Sequence, residues 1–261
     1  RLDMNYIVLV TLFCCSYAIV RKSNNLRIIG GKIDSDNKFP WVVALCESEG
    51  EDKIIVCSGS LIHAEIVLTA AHCSGDYIRL QLALGEYRKV LERISHKDHK
   101  SPLNDIALYK VERSALEHYA LLSSSDHFSL IGLEAFSAGF GRTKLYDLYD
   151  DMMVTGNGSL KYCSGVIEKC PHIFVGTYSL SCIFRKCKEM GTAAGGDSGG
   201  PIIHDGKVIG TNTATILPTK QASRLNSILN GSVPYSLTKI FDLLKASLPS
   251  HLVLPIDNFS K

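Results

Sequence analysis

The sequence predicts an all-β protein, either a sandwich or a pair of barrels, that ends in one helix. After Arg27 the chain consists mainly of short β-rich runs separated by clusters of Gly, Asn, Asp and Ser. One strong helical period, at 237–248, places five apolar residues on a single face: Ile240, Phe241, Leu243, Leu244 and Leu248. No alternation of strands and helices supports a parallel α/β sheet. The β-rich runs are 41–45, 54–62, 66–70, 77–84, 105–111 and 207–213.

The composition is that of an ordinary folded protein. Of 261 residues, 46% are hydrophobic and 21% are charged, and the formal net charge is +2. A chain of this length can bury a sizeable core, as one large domain or two small ones. Because Lys and Arg are spread thinly along the chain, we expect no nucleic-acid partner.

The N-terminal segment has the pattern of a secretory signal. Met4 is the expected start, and an apolar run follows at 7–20. Ser16 and Ala18 are small residues placed three and one before a cut. A membrane anchor would need about 20 apolar residues, more than this run offers. We therefore predict a signal peptide over 1–18, an extracellular protein and no attachment to a membrane.

An oxidising compartment makes the cysteines candidates for disulfides. Of nine cysteines, two lie in the predicted signal, so at least one of the seven others has no intramolecular partner. No pair of Cys-X-X-Cys motifs suggests a structural zinc site, and we predict no metal. Three Asn-X-Ser triplets also suit a secreted protein and predict glycosylation at Asn157, Asn230 and Asn258.

Three short motifs contain the residue types of nucleophilic catalysis. LTAAHC contains His72, NDIAL contains Asp105, and GDSGGP contains Ser198. A hydroxyl is a poor nucleophile near neutral pH, so it needs an imidazole to take its proton and a carboxylate to orient the imidazole. Each motif alone has an ordinary structural explanation. Together, in a secreted all-β chain, they predict a Ser-His-Asp triad.

From Ile28 almost to the C-terminus, the chain resembles the trypsin/chymotrypsin-like serine peptidases, the S1 family. The resemblance rests on IIGG, CSGSLI, LTAAHC, NDIAL and GDSGGP, which occur in the family's order. It implies two six-stranded antiparallel Greek-key β-barrels, with the active site between them and a C-terminal α-helix. The peptidase domain would span 28–261, with the barrels divided near 125–135.

The resemblance also assigns roles to residues of the three motifs. It implies that Ser198 is the nucleophile, His72 the general acid and base, and Asp105 the orienting carboxylate. The backbone N–H groups of Gly196 and Ser198 would form the oxyanion hole. Substrates would be peptides or proteins, attacked through an acyl-enzyme without a cofactor, and protein inhibitors are possible partners.

The family's activation mechanism fits the start of the predicted domain. A protease that prefers basic residues would cut after Arg27 and remove a propeptide over 19–27. The freed amino group of Ile28 would then turn inward and pair with Asp197. A charge pair buried in this way is costly to break, because either partner alone would be left unpaired.

The cysteines follow the family in part. The resemblance implies the disulfides Cys57–Cys73 and Cys170–Cys182. Ala135 and His204 replace one of the family's other cysteine pairs, and Ala194 replaces a cysteine that normally tethers a wall of the specificity pocket. Three cysteines are left over, and one further bridge among them is possible: Cys46, Cys163 and Cys187.

The predicted specificity pocket also departs from the family. Thr192 lies at the position of the pocket floor, where an acidic residue would select Lys or Arg. Thr215 and Val233 align where wide pockets have glycine. We therefore expect cleavage after small residues rather than after basic or aromatic ones. The rebuilt pocket leaves an alternative open, a weak or inactive paralogue that binds proteins as a decoy or inhibitor.

Overall fold

The computed structural model describes residues 31–80, 86–100, 104–125, 127–141, 154–155, 158–170, 181–184, 195–216 and 229–233. These residues form fifteen strands and one short 3-10 helix at His127–Leu130. The strands are β1 (Lys32–Ile33), β2 (Val42–Glu49), β3 (Asp52–His63), β4 (Ile66–Thr69), β5 (Tyr77–Leu80), β6 (Tyr87–Ser95), β7 (Ala107–Val111), β8 (Leu121–Leu122), β9 (Glu134–Gly139), β10 (Val154–Thr155), β11 (Lys161–Lys169), β12 (Ser181–Phe184), β13 (Pro201–His204), β14 (Lys207–Ile216) and β15 (Leu229–Val233).

The first barrel contains six antiparallel strands. They pair in the order β3-β2-β5-β6-β7-β4, and β4 returns to pair with β3, which closes the ring. The two-residue strand β10 pairs with Ile54 and Ile55, near the start of β3. Closure gives the ring's six strands hydrogen-bonding partners on both sides, so these strands have no open edges.

The second barrel closes in the same way. Its strands pair in the order β11-β12-β15-β14-β13-β9, and β9 pairs with β11. Strand β1 is added to β11, and β8 runs parallel to the start of β14. The prediction of two six-stranded antiparallel barrels is therefore confirmed, and the sandwich is excluded. The helix predicted at 237–248 lies outside the described residues.

The apolar core continues from one barrel into the other. Residues 42–46 of β2 are all buried, which requires cover on both faces of the strand. The main buried cluster combines these residues with Ala138 and Phe140, at the end of β9, and with Ile203 of β13. A smaller cluster, which includes Ile167 and Ile202, fills the second barrel. The two barrels are thus packed together by apolar contacts.

A buried arginine links the first barrel to the chain that enters the second. Arg79 of β5 donates a hydrogen bond from Nη2 to the carbonyl of Gly158, at 2.5 Å. Its guanidinium carbon lies 5.1 Å from the centroid of the Phe140 ring, which is typical of a cation–π contact. Burial lowers the pKa of Arg79 and raises the pKa of the Cys46 thiol to about 11. Cys46 therefore stays protonated near neutral pH.

No helix among the described residues is both long enough and apolar enough to cross a lipid bilayer.

Two identical substitutions test the position of the core. Leu61 of β3 has 0% of its surface exposed, whereas Leu91 of β6 has 56% exposed. Leu61→Ala should lower the free energy of unfolding by about 2–5 kcal/mol, because it leaves a cavity. Leu91→Ala should change it by no more than about 0.5 kcal/mol. Urea unfolding measures both values, and equal losses would contradict this description of the core.

Candidate active site

Backbone hydrogen bonds shape the turn at 196–200, which contains Ser198 and leads into β13. The N–H of Gly200 donates to the carbonyl of Asp197 at 3.1 Å. On the other side, the N–H of Gly199 donates to the carbonyl of Asn212 at 2.7 Å, and the N–H of Asn212 donates to the carbonyl of Gly200 at 2.8 Å. The turn is therefore anchored on β14 before it reaches β13.

Two glycines allow this turn to form. Gly196 and Gly199 have φ values of +94° and +74°, a region that side chains disfavour. A Cβ atom on Gly199 would also lie 2.5 Å from the carbonyl oxygen of Ser58 and 2.9 Å from the backbone nitrogen of Ala70. Both constraints account for glycine at these positions in the GDSGGP motif.

Strand β3 of the first barrel holds the turn from the opposite side. The N–H of Ser58 donates to the carbonyl of Ser198 at 2.8 Å, and its hydroxyl donates to the carbonyl of Gly196 at 2.8 Å. The hydroxyl of Thr69 donates to the carbonyl of Ser58 at 2.9 Å. Because Thr69 ends β4 just before His72, these bonds place the turn of Ser198 against the segment that leads to His72.

His72 and Asp105 form a hydrogen-bonded pair. Nδ1 of His72 donates to Oδ2 of Asp105 at 2.6 Å, and the backbone N–H of His72 donates to Oδ1 at 2.8 Å. The side chain of Asp105 has no exposed surface, whereas 33% of the His72 side chain is exposed. The imidazole thus has one edge held in the protein and part of its surface open to solvent.

The turn that carries His72 is fixed at Cys73. The N–H of Cys73 donates to the carbonyl of Ala70 at 3.2 Å, and the phenol of Tyr109 donates to the carbonyl of Cys73 at 2.5 Å. The disulfide Cys57–Cys73 ties the turn to β3, with the two Cα atoms 6.0 Å apart. These contacts join the turn to β3 and β7 of the first barrel.

A second histidine, His99, approaches Asp105. Its Nε2 lies 3.3 Å from Oδ1 of Asp105. Next to His99, the carbonyl of Asp98 accepts a hydrogen bond from the side-chain amide of Asn104 at 2.7 Å. Asn104 itself has a φ of +53°, directly before Asp105. No motif of the sequence predicts a role for His99; its one signal is its place in HKDHK, shortly before NDIAL.

The electrostatic environment favours an ionised Asp105. Burial by itself raises the pKa of the carboxyl group. The hydrogen bonds and charge of His72, with a further contribution from the charge of His99, outweigh burial and hold this pKa below its usual value. Asp105 is therefore a carboxylate throughout the neutral pH range.

Asp197, within the turn, has a second buried carboxyl group. Its side chain has no exposed surface, and Oδ1 accepts a hydrogen bond from the N–H of Gly141 at 2.7 Å. A Cβ atom on Gly139 or Gly141 would collide with this carboxylate. The GFG segment at 139–141 is thus fitted to Asp197. Ile28, its predicted partner, lies outside the described residues.

Both predicted disulfides are present. A hydrogen bond lies where the family has a third disulfide, at the positions of Ala135 and His204. Cys170–Cys182 joins the end of β11 to β12. Nδ1 of His204 donates to the carbonyl of Glu134 at 2.7 Å, so β13 and β9 are linked beside Ala135 without cysteines. Cys46 and Cys163 are buried and belong to neither bridge, and Cys187 lies outside the described residues.

One cluster of metal-ligand atoms occurs among the described residues. Ligand atoms of Cys57, His72 and Cys73 lie within 4.8 Å of one another. Both sulfur atoms are joined in a disulfide, so neither is available as the thiolate that a metal would need. The cluster therefore does not fit a metal centre.

The structure does not bring the two predicted pocket walls together. Thr215 pairs with Asn230 in the β14–β15 ladder, whereas Val233 pairs with Thr211 near the other end of the same ladder. Thr192 and Ala194 lie outside the described residues. Of the predicted glycosylation sites, Asn157 and Asn258 also lie outside them, and Asn230 lies in β15, between β12 and β14.

Comparison with known proteins gives one consistent result. The sequence model of the family described as Trypsin matches residues 28–229. Mast cell protease 8 of Mus musculus is 33% identical over 202 residues, which is 70% of this chain and 78% of the relative. Venom plasminogen activator Haly-PA of Gloydius brevicauda is 27% identical over 252 residues, 91% of this chain and 92% of the relative. A solved structure of GrC has a TM-score of 0.64 at 23% identity, covering 83% of this chain and 99% of that chain.

Two glycine substitutions test how tightly the turn is enclosed. Gly199 and Gly206 have nearly equal φ values, +74° and +73°, but a Cβ atom on Gly206 would meet nothing within 4 Å. Gly206→Ala should cost only the backbone strain, about 1 kcal/mol of unfolding free energy. Gly199→Ala should cost at least about 2 kcal/mol more, because its Cβ collides with the backbone of β3. Similar losses in urea unfolding would contradict the enclosure.

The pH dependence of stability tests the environment of Asp105. A carboxyl group whose pKa is lowered by folding stabilises the folded state above its unfolded pKa, near 3.8, and loses this effect as the pH falls through its folded pKa. Asp105→Asn should therefore be less stable than wild type at pH 7, and the difference should shrink below pH 3.8. Urea unfolding at several pH values measures this difference. A constant difference would show that the ionised form of Asp105 contributes nothing.

Proposed function

Since this chain belongs to the trypsin family, we propose that it is a serine endopeptidase that hydrolyses peptide bonds through an acyl-enzyme on Ser198. The observation that carries the proposal is the buried Asp105 carboxylate, 2.6 Å from Nδ1 of His72, with the turn of Ser198 held against the same segment. Family membership supports peptides or proteins as substrates.

The first half of the reaction follows from the tautomer of His72. Because Nδ1 keeps its proton and donates a hydrogen bond to Asp105, Nε2 of the neutral ring is left as the acceptor. In this mechanism the hydroxyl of Ser198 donates a hydrogen bond to Nε2 of His72. As Oγ attacks the carbonyl carbon of the substrate, its proton moves to Nε2, and Asp105 stabilises the imidazolium that forms.

The second half returns the protein to its starting state. The imidazolium gives its proton to the nitrogen of the leaving amine, the peptide C–N bond breaks, and the acyl group remains on Ser198. Water then attacks the ester while His72 takes a proton from it, and this proton passes to Oγ as the acid product leaves. The sum is one peptide bond and one water converted into an acid and an amine.

The turn also suits the predicted oxyanion hole. The carbonyl of Asp197 is held by the N–H of Gly200. Because a trans peptide is planar, the N–H of Ser198 points away from that carbonyl and remains available to a substrate oxygen. The N–H of Gly196 would be the second donor. Loss of one such donor costs about 3 kcal/mol of transition-state stabilisation.

We propose that the protein is secreted as a zymogen and activated by cleavage after Arg27. Family membership supports this, and Asp197, the predicted partner of the Ile28 amino group, is buried beside Gly141. In this account 1–18 is the signal peptide and 19–27 the propeptide. Glycans on Asn157, Asn230 and Asn258 would be added on the same route.

The proposed specificity is for small residues before the cut. Thr192 offers no negative charge to Lys or Arg, and Thr215 would narrow one wall. Val233 contributes less to this specificity than the sequence suggested. In the β14–β15 ladder it pairs with Thr211 and lies away from Thr215. The alternative, a weak or inactive protein-binding paralogue, is favoured by Ala194, which removes a disulfide from the pocket wall.

Labelling with a fluorophosphonate tests the catalytic proposal. After limited trypsin treatment, protein that begins at Ile28 should be labelled on Ser198, as located by mass spectrometry. His72→Ala should remove at least 99% of the labelling rate, a loss typical of a triad member. His63→Ala, a histidine of β3, should keep the wild-type rate. Labelling that survives in His72→Ala would contradict the triad.

The same preparation decides between the alternatives. Arg27→Gln should stay unlabelled after trypsin treatment, because Ile28 is not freed. A peptide library should be cut after Ala, Val, Ser or Thr and little after Arg, Lys or Phe, with a graded preference. Strong cleavage after Arg would overturn the proposed specificity. If protein with a verified Ile28 terminus shows no labelling and no cleavage, the result would favour the decoy or inhibitor.

A further inference from the structure

The side chain of Ser58 is a buried hydroxyl at the junction of the two barrels. It lies on β3 of the first barrel and has 0% of its surface exposed. Its Oγ accepts a hydrogen bond from the N–H of Phe140, at 2.9 Å, just after β9 of the second barrel. The same Oγ donates to the carbonyl of Gly196 at 2.8 Å. One hydroxyl therefore connects three separate parts of the chain.

The direction of these two bonds is fixed by their partners. A backbone N–H can only donate and a carbonyl can only accept, so the hydroxyl proton must point at Gly196. The next amide, the N–H of Gly141, donates to Oδ1 of Asp197. The GFG segment thus holds neighbouring residues of the turn at two points, directly at Asp197 and through Ser58 at Gly196.

Ser58 also holds the turn on the other side of the proposed oxyanion donor. Its backbone N–H donates to the carbonyl of Ser198, while its hydroxyl donates to the carbonyl of Gly196. These two carbonyls belong to the peptide units that flank the unit between Asp197 and Ser198. That central unit carries the Ser198 N–H, so both neighbours of the donor are fixed by one residue.

We propose that Ser58 is a positioning residue for the oxyanion hole, whose hydroxyl holds the Gly196–Asp197 peptide unit so that the N–H groups of Gly196 and Ser198 converge. The inference rests on the proposed function. Ser58 is fully buried against the turn, so its effect on catalysis is exerted through the two amides. Transition-state binding depends on their alignment more than ground-state binding does, because the charge on the oxygen develops only there.

Ser60 supplies a matched control on the same strand. It lies two residues further along β3 and is equally buried, but its hydroxyl has no hydrogen-bond partner among the residues that the structure describes. Ser58→Ala and Ser60→Ala therefore remove the same atom from the same strand. Only the first leaves the Gly196 carbonyl and the Phe140 N–H without their partner.

Kinetics on protein that begins at Ile28 provide the first test. Ser58→Ala should lower kcat about five- to tenfold, the effect of one hydrogen bond, with KM nearly unchanged. The affinity for a peptidyl boronate, which resembles the tetrahedral intermediate, should fall by a similar factor. Ser60→Ala should leave both quantities within about twofold. Equal effects of the two variants, or an unchanged kcat in Ser58→Ala, would overturn the inference.

Amide hydrogen exchange provides a second test that does not depend on activity. In Ser58→Ala, the amides of 196–200 should exchange at least about tenfold faster, because the turn loses an anchor. In Ser60→Ala they should exchange at the wild-type rate. Ser58→Gly serves as a second variant if Ser58→Ala does not fold. An unchanged exchange rate would overturn the positioning role, whereas absent labelling of wild type at Ser198 would overturn only the proposed function.

Discussion

The site depends on the contact between β3 and the turn at 196–200. Ser58 and Gly196 are 138 residues apart in the sequence, yet a 2.8 Å hydrogen bond joins them. This contact joins the two barrels, because β3 belongs to the first ring and the turn leads into β13 of the second. The apolar cluster that spans the junction supplies the packing that holds the two rings together. The geometry of the site therefore depends on how the two barrels pack.

Two buried carboxylates set the electrostatics of the site. An unpaired charge without exposure is costly, so each must be compensated where it lies. Asp105 is compensated locally by two hydrogen bonds from His72 and by the proximity of His99. Asp197 is held by the amide of Gly141, and the proposed activation adds a cation from a chain terminus that exists only after cleavage. Asp105 would thus orient His72 in the reaction, and Asp197 would pair with the new terminus after cleavage.

The sequence was sufficient for the fold class, and it named His72 and Asp105, which the structure pairs, whereas the role of Ser198 stays a prediction. Short strands and turn residues left a sandwich or a pair of barrels open, the family resemblance implied two barrels, and both form. What it missed were contacts between distant strands. The sequence does not place Nε2 of His99 3.3 Å from Asp105, and it offers Ser58 only as part of a motif. Similarly, the positions of Thr215 and Val233 depend on how β14 pairs with β15. A sequence does not fix that register when a long segment separates the strands.

The most direct test of the account is a crystal structure of protein that begins at Ile28, bound to a peptidyl boronate. The account predicts a tetrahedral boron bonded to Oγ of Ser198, with one boron oxygen within hydrogen-bonding distance of the amides of Gly196 and Ser198. His72 would lie between that adduct and Asp105. A boronate bound without a bond to Ser198, or an adduct whose oxygen points away from both amides, would contradict it.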